Sequence, residues 1–116
     1  MPEATAAPPR RDPLARILES APVELRWAAG LLQASGDPAH QARVADMLRR
    51  VEDAEGAMAR PEPPQPAEKK ALLAPLIAEL HYAGEALRRT DDRVQRHRAN
   101  GILQTAINGE YLLSRP

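Results

Sequence analysis

The sequence contains no cysteine and no phenylalanine, and its aromatic residues are one tryptophan and two tyrosines. Without cysteine the chain can form neither a disulfide framework nor a thiolate metal site. No apolar run approaches the roughly 20 residues of a membrane span, and residues 1–12 lack the apolar segment of a signal peptide. We therefore expect a cytoplasmic protein that has no membrane partner.

Net charge is also absent, because 16 basic residues balance 16 acidic ones. Such a balance gives no strong long-range attraction to nucleic acid. Motifs for catalysis and cofactor binding are missing as well. There is no Gly-rich phosphate loop, and His81 and Glu85 have a metal-ligand spacing but no third ligand. We predict a non-enzymatic protein that uses no cofactor and no metal.

What the sequence does have is clear helix punctuation. Asp12-Pro13 and Asp37-Pro38 each predict a helix start, because Asp accepts hydrogen bonds from the free amides of a first turn and Pro needs no donor there. Gly36 supplies the left-handed residue that ends the first helix. The Pro-rich run 61–66 is typical of a stiff, extended linker.

Three blocks of helical periodicity follow from this punctuation. The blocks at 13–35 and 38–59 predict a helical hairpin, and a third apolar stripe continues from Ala67 to about Leu113. The fold class is therefore all-α, with the hairpin packed on a long C-terminal helix. The alternative is a four-helix bundle, which requires that the last helix breaks near Thr90 or Gly101.

The domain organisation predicted from these blocks is simple. Residues 1–12, rich in Ala and Pro, form a disordered N-terminal tail. Residues 13–116 form a single helical domain that contains the linker at 61–66. In its core we expect leucines and a valine of the hairpin to pack against leucines of the third block: Leu25, Leu32, Leu48, Val51, Leu76, Leu80 and Leu87.

The core of this domain is predicted to be thin, because alanine supplies much of the apolar content and buries little area. Small proteins with thin cores commonly gain burial from a partner. A long last helix would also leave its C-terminal half without a neighbour in its own chain. We therefore predict a homo-oligomer or a tight complex with a protein partner, with these contact residues: Ile102, Leu103, Ala106, Ile107 and Leu113.

The densest basic segment lies just before those residues. Its arginines are Arg88, Arg89, Arg93, Arg96 and Arg98. Arginine forks bind phosphate groups well, so the segment is a candidate anion site. However, Asp91 and Asp92 reduce its charge, and no aromatic residue is interleaved for base stacking. Nucleic acid is therefore the less favoured partner.

Two short windows resemble known families. Arg96-His97-Arg98, followed by Leu103-Gln104, resembles the phospho-accepting histidine box of histidine kinases and their phosphotransferases, and this implies phosphotransfer by His97. The stretches 68–73 and 98–103 are similar to parts of the flagellar export chaperones that bind hook-associated proteins, and these imply a helical, non-enzymatic client binder. The sequence assigns the chain to neither family.

The function predicted from the sequence is protein–protein interaction through the apolar face of the C-terminal helix. The protein would be an adaptor, a chaperone-like protein or an assembly subunit. The alternative is a nucleic-acid-binding or phosphorelay-type helical protein that uses the segment Arg88 to Arg98.

Overall fold

The computed structural model describes residues 12–115, and within this range the chain forms four α-helices and no strand. The helices are α1 (Pro13–Ala34), α2 (Pro38–Met58), α3 (Pro66–Arg88) and α4 (Arg93–Ser114). The all-α prediction is confirmed for this range. The predicted disordered tail lies outside the described residues, except for Asp12.

The helix starts are where the sequence places them. Asp12 Oδ1 accepts a hydrogen bond from Leu14 N at 3.0 Å, and Asp37 Oδ1 accepts one from Ala39 N at 2.8 Å. Gly36 has a φ of 80°, which is a conformation that side chains with a Cβ rarely adopt. These caps fix the lengths of α1 and α2, and the turn of the hairpin between them is only three residues long.

Between Arg88 and Arg93 the backbone leaves the helical conformation, where we expected a continuous helix. Thr90 N donates to Leu87 O at 3.3 Å, and Thr90 Oγ1 accepts from Asp92 N at 3.3 Å. Asp92 Oδ1 then accepts from Gln95 N at 3.0 Å and caps α4. These local bonds give the backbone an alternative to the helical ladder. The expectation of one long C-terminal helix is therefore corrected: α3 and α4 are separate helices.

The two central helices are α1 and α3, and each contacts all the other helices. In contrast, α2 and α4 lie on opposite sides of this pair and do not contact each other. Lys69 Nζ on α3 donates to Asp12 Oδ2 at the start of α1 at 2.7 Å, so these two helices run in the same direction. Lys70 Nζ donates to Arg115 O at 2.6 Å, so α4 runs back along α3.

The core is aliphatic, as the composition requires. Six of the seven residues predicted for it are buried: Leu25, Leu32, Val51, Leu76, Leu80 and Leu87. Leu48 is only half-buried at its edge. Because no Phe is present, the volume between helices is filled by Leu, Ile, Met and many alanines.

Two glycines allow α4 to approach its neighbours closely. A Cβ built on Gly84 of α3 would lie 2.5 Å from the side chain of Leu103. A Cβ built on Gly109 of α4 would lie 2.9 Å from Ile77 and 3.2 Å from Ile17. Because real Cβ atoms essentially never come as close as 2.9 Å, larger residues at these positions would force the neighbouring side chains or the helices to shift. Small residues thus let a thin core reach close packing.

One buried charge joins α2 to α3. Glu79 is only 2% exposed, and it is the sole buried charged side chain in the described range. Its Oε1 accepts from Arg43 Nε at 2.8 Å and its Oε2 from Arg50 Nε at 3.1 Å. Both arginines lie on α2, seven residues and about two helical turns apart. The pair of arginines therefore fixes how α2 is aligned along α3.

Replacing Leu80 tests the core. Leu80 is fully buried, so Leu80→Ala should lower the free energy of unfolding by about 2 to 5 kcal/mol. As a matched control, Val23→Ala removes an apolar side chain that is 61% exposed, and it should change stability by less than about 0.5 kcal/mol. Urea unfolding measures both. Equal, small losses for the two variants would contradict the packing described above.

Removing the partners of Glu79 tests the buried ion cluster. The double change Arg43→Met and Arg50→Met leaves a buried carboxylate without a counter-charge, so it should cost about 3 to 5 kcal/mol in urea unfolding. Adding Glu79→Leu to the same protein should recover most of that loss, because no buried charge then remains. If Glu79→Leu recovers none of the lost stability, the loss comes from side-chain packing and not from the unpaired charge.

Candidate interaction surface

One apolar row on the surface of α4 consists of three residues, Leu103, Ile107 and Tyr111, which we call the α4 stripe. Val94, at the start of the helix, is 72% exposed and lies outside this row. The three stripe residues follow at steps of four, so they lie along one face of the helix. Ile107 is 53% exposed and Tyr111 is 61% exposed. Leu103 is half-buried because its side chain lies over Gly84 of α3.

The five residues predicted to contact a partner differ in how exposed they are in the structure. Ile102 and Ala106 have no exposed surface and belong to the protein's own core. Leu113 is half-buried against the same core. Because α4 folds back along α3, this side of α4 packs on α1 and α3. The face that would need a partner molecule in one long helix is therefore covered by the protein's own chain. Ile107 and part of Leu103 remain accessible on the neighbouring face.

Tyr111 is the member of the stripe that the sequence analysis did not select. Its ring lies 5.5 Å from the guanidinium carbon of Arg115 and is otherwise largely open to solvent. The signal in the sequence is its position one turn after Ile107. That spacing alone cannot decide between a buried and an exposed tyrosine, because the decision depends on which face of α4 packs on α3.

Polar contacts border the stripe on the side of α3. His81 Nε2 lies 3.1 Å from Glu110 Oε1 and bridges the two helices. The chain end is held by the bond from Lys70 Nζ to Arg115 O. In residues 12–115, no group of three His, Asp or Glu side chains is arranged to hold a metal ion.

The candidate anion-binding arginines do not converge on one point. Arg88 Nη2 donates to Glu85 at 2.9 Å and Arg96 Nη1 to Thr90 O at 3.0 Å. The guanidinium of Arg98 lies 4.2 Å above the ring centre of Trp27. The other two arginines, Arg89 and Arg93, are exposed near the turn between α3 and α4, as is His97 on α4.

A second polar cluster, not found from the sequence, lies between α2 and α3. His40 Nδ1 lies 2.6 Å from Tyr82 Oη, and Arg43 lies 4.7 Å from the centre of the Tyr82 ring. His40 Nε2 is also 3.7 Å from Asp37 Oδ2. His40 and Tyr82 line part of a shallow cleft of about 400 Å³, which Arg89 also lines. Sequence reasoning misses the cluster because its members are about 40 residues apart.

Glu24 is a carboxylate held in an unfavourable environment. It lies between α1 and α4, where burial raises its pKa, although a hydrogen bond from Thr105 Oγ1 at 3.2 Å and the charge of Arg98 act in the opposite direction. Its second oxygen, Oε2, is buried and has no hydrogen-bond partner. This carboxylate therefore opposes folding slightly when it is ionised.

Comparison with known proteins adds no functional information. No protein-family profile, curated protein or solved structure matches the chain. The four helices of the described range also include none that is both long and apolar enough to cross a membrane. The functional argument therefore depends on the surface of the protein itself.

Replacing Glu24 tests the buried carboxylate. Because its pKa is raised in the folded state, wild-type stability is relatively higher below about pH 4.5 and is lost as the pH rises through the folded-state pKa. Glu24→Gln should therefore raise the free energy of unfolding at about pH 7 by roughly 0.5 to 1 kcal/mol, a small value because the side chain is partly exposed. The gain should shrink on acidification. Urea unfolding at about pH 7 and below about pH 4.5 measures this gain. A variant that is less stable than the wild type at about pH 7 would contradict the unfavourable burial of Glu24.

Proposed function

We propose that the protein is a non-enzymatic interaction module that binds a protein partner through the α4 stripe. The observation that carries this proposal is the exposure of Ile107 and Tyr111, one turn apart, on a helix that buries another face through Ile102 and Ala106. Exposed apolar groups in one row are what a partner helix or strand covers. Adaptors, chaperone-like proteins and assembly subunits all use surfaces of this kind.

The residue types suit a binding surface. Tyrosine is enriched among the residues that contribute most to protein interfaces, and a large aliphatic neighbour provides area for burial around it. Fully burying a side chain of this kind contributes about 1.5 to 3 kcal/mol. Two such side chains supply a moderate affinity, so further contacts around the stripe are needed for tight binding.

The alternative, a nucleic-acid or phosphorelay function of Arg88 to Arg98, has less support. Arg88, Arg96 and Arg98 already bind groups of their own chain. The aromatic ring at this segment, Trp27, is half-buried, and Arg98 covers one of the faces on which a base could stack. Interaction with a protein is therefore the function that we propose.

Removing the two exposed side chains tests the proposal. The double change Ile107→Ser and Tyr111→Ser should lower the amount of partner captured from extracts of the native host at least about tenfold, because both anchors of the interface are lost. Val23→Ser is the matched control, since Val23 is equally exposed but lies on α1. Captured proteins are compared by quantitative mass spectrometry. Capture that is the same for all three proteins contradicts the use of the α4 stripe.

A further inference from the structure

The turn between α3 and α4 is short and contains no strong helix breaker. It consists of residues 89–92, and neither glycine nor proline occurs anywhere from 85 to 100. No residue of the turn has a positive φ, and Arg89 still has nearly helical angles, with φ of −90° and ψ of −2°. At Asp92 the φ of −75° suits a helix, and only the ψ of 119° does not. The turn can therefore become helical through rotation about a few bonds.

A few local hydrogen bonds keep the turn in its present form. Thr90 Oγ1 accepts from Asp92 N at 3.3 Å, Asp92 Oδ1 accepts from Gln95 N at 3.0 Å, and Arg96 Nη1 donates to Thr90 O at 3.0 Å. All three bonds are exposed to solvent, where a single hydrogen bond stabilises little. A single helix running through α3 and α4, which we call the joined helix, would satisfy these backbone groups with main-chain bonds instead. The turn and the joined helix therefore differ little in local hydrogen bonding.

An apolar residue just after the turn lacks cover in the single chain. Val94 is 72% exposed, although it lies one heptad after Leu87 and two after Leu80, both of which are buried. In a continuous helix this spacing places all three residues on one face. The reversal of the chain at 89–92 removes Val94 from that face. The joined helix would bring it back into line with core residues.

We propose that two copies of this chain can exchange their α4 helices. The single chain keeps α3 and α4 apart, whereas in the exchanged dimer residues 89–92 are helical and each α4 packs on α1 and α3 of the other copy. Every contact that α4 makes with the core is then made again between chains. The two joined helices pass each other at the former turns, where Val94 of each copy gains a neighbour. Ile107 and Tyr111 stay exposed, so this inference does not depend on the proposed function.

The residues of the turn govern the balance between monomer and dimer. Because the core contacts are the same in both, the difference lies in the bonds of two turns, the helical bonds and Val94 contacts that replace them, and the entropy cost of association. A short hinge between two packed helices favours exchange for this reason. Since α4 must leave its own core before it can exchange, the dimer should form mainly during refolding.

A pair of cysteines tests which chain supplies α4. The sequence has no cysteine of its own, and a Cβ on Gly84 would meet the side chain of Leu103. Gly84→Cys with Leu103→Cys therefore places two thiols within reach of each other. Refolding at millimolar concentration, followed by mild oxidation, should give a dimer whose disulfides join the two chains. Refolding at micromolar concentration should give a monomer with the disulfide inside one chain. Size-exclusion chromatography and non-reducing gel electrophoresis distinguish the two.

Removing the caps of the turn should favour the dimer. Thr90→Ala with Asp92→Ala, added to the cysteine pair, removes both side-chain acceptors and raises helix propensity, so the association constant should increase at least about tenfold. Asp53→Ala, an equal change of charge on an exposed residue of α2, is the matched control and should leave the constant unchanged. Two glycines inserted between residues 91 and 92 of the Thr90→Ala, Asp92→Ala protein should restore the monomer, because glycine disfavours the joined helix.

The other outcomes overturn the exchange. Dimers whose disulfides all lie within single chains show association through the outer surface and not through α4. A dimer that survives the glycine insertion shows that no joined helix is needed. Absence of a dimer after refolding at millimolar concentration also contradicts the proposal, and this experiment keeps the native turn, so it does not depend on whether the alanine variant folds.

Discussion

The local hydrogen bonds at residues 89–92 control much of the remaining structure. Thr90 and Asp92 satisfy backbone groups at this point, so the chain leaves α3 and starts α4 in the opposite direction. Folding back brings one face of α4 onto α1 and α3, where Ile102 and Ala106 are buried. It also determines which face stays outside. The same turn that completes the core therefore exposes Ile107 and Tyr111.

The two outer helices are held to the central pair by different means. Helix α4 meets α3 through small residues, and Gly84 and Gly109 set how close the two can come. Helix α2 meets α3 partly through the buried carboxylate of Glu79 and its two arginines. Close apolar packing gives contact area without a large side chain, whereas a buried ion cluster specifies register at the cost of desolvation. A chain without phenylalanine uses both devices.

The two outer helices also differ in the side chains that they expose. Both outer helices carry acidic and basic side chains on their exposed sides, and α4 also carries the apolar stripe. Electrostatics generally selects among partners more than it adds affinity, so in the proposed function the apolar row would provide most of the binding energy. The stripe and the charges around it therefore have separate physical roles in the proposed binding of a protein partner.

The sequence by itself determined the helix class, the starts of α1 and α2, and the core residues from Leu25 to Leu87. These follow from local capping and from the helical period, both of which act over a few residues. Only the tertiary structure decided the direction of α4, because the capping signal at Thr90 competed with an apolar stripe that continued through it. It also decided which α4 residues are exposed and paired Glu79 with Arg43 and Arg50. Such contacts join residues distant along the chain, and no local pattern encodes them.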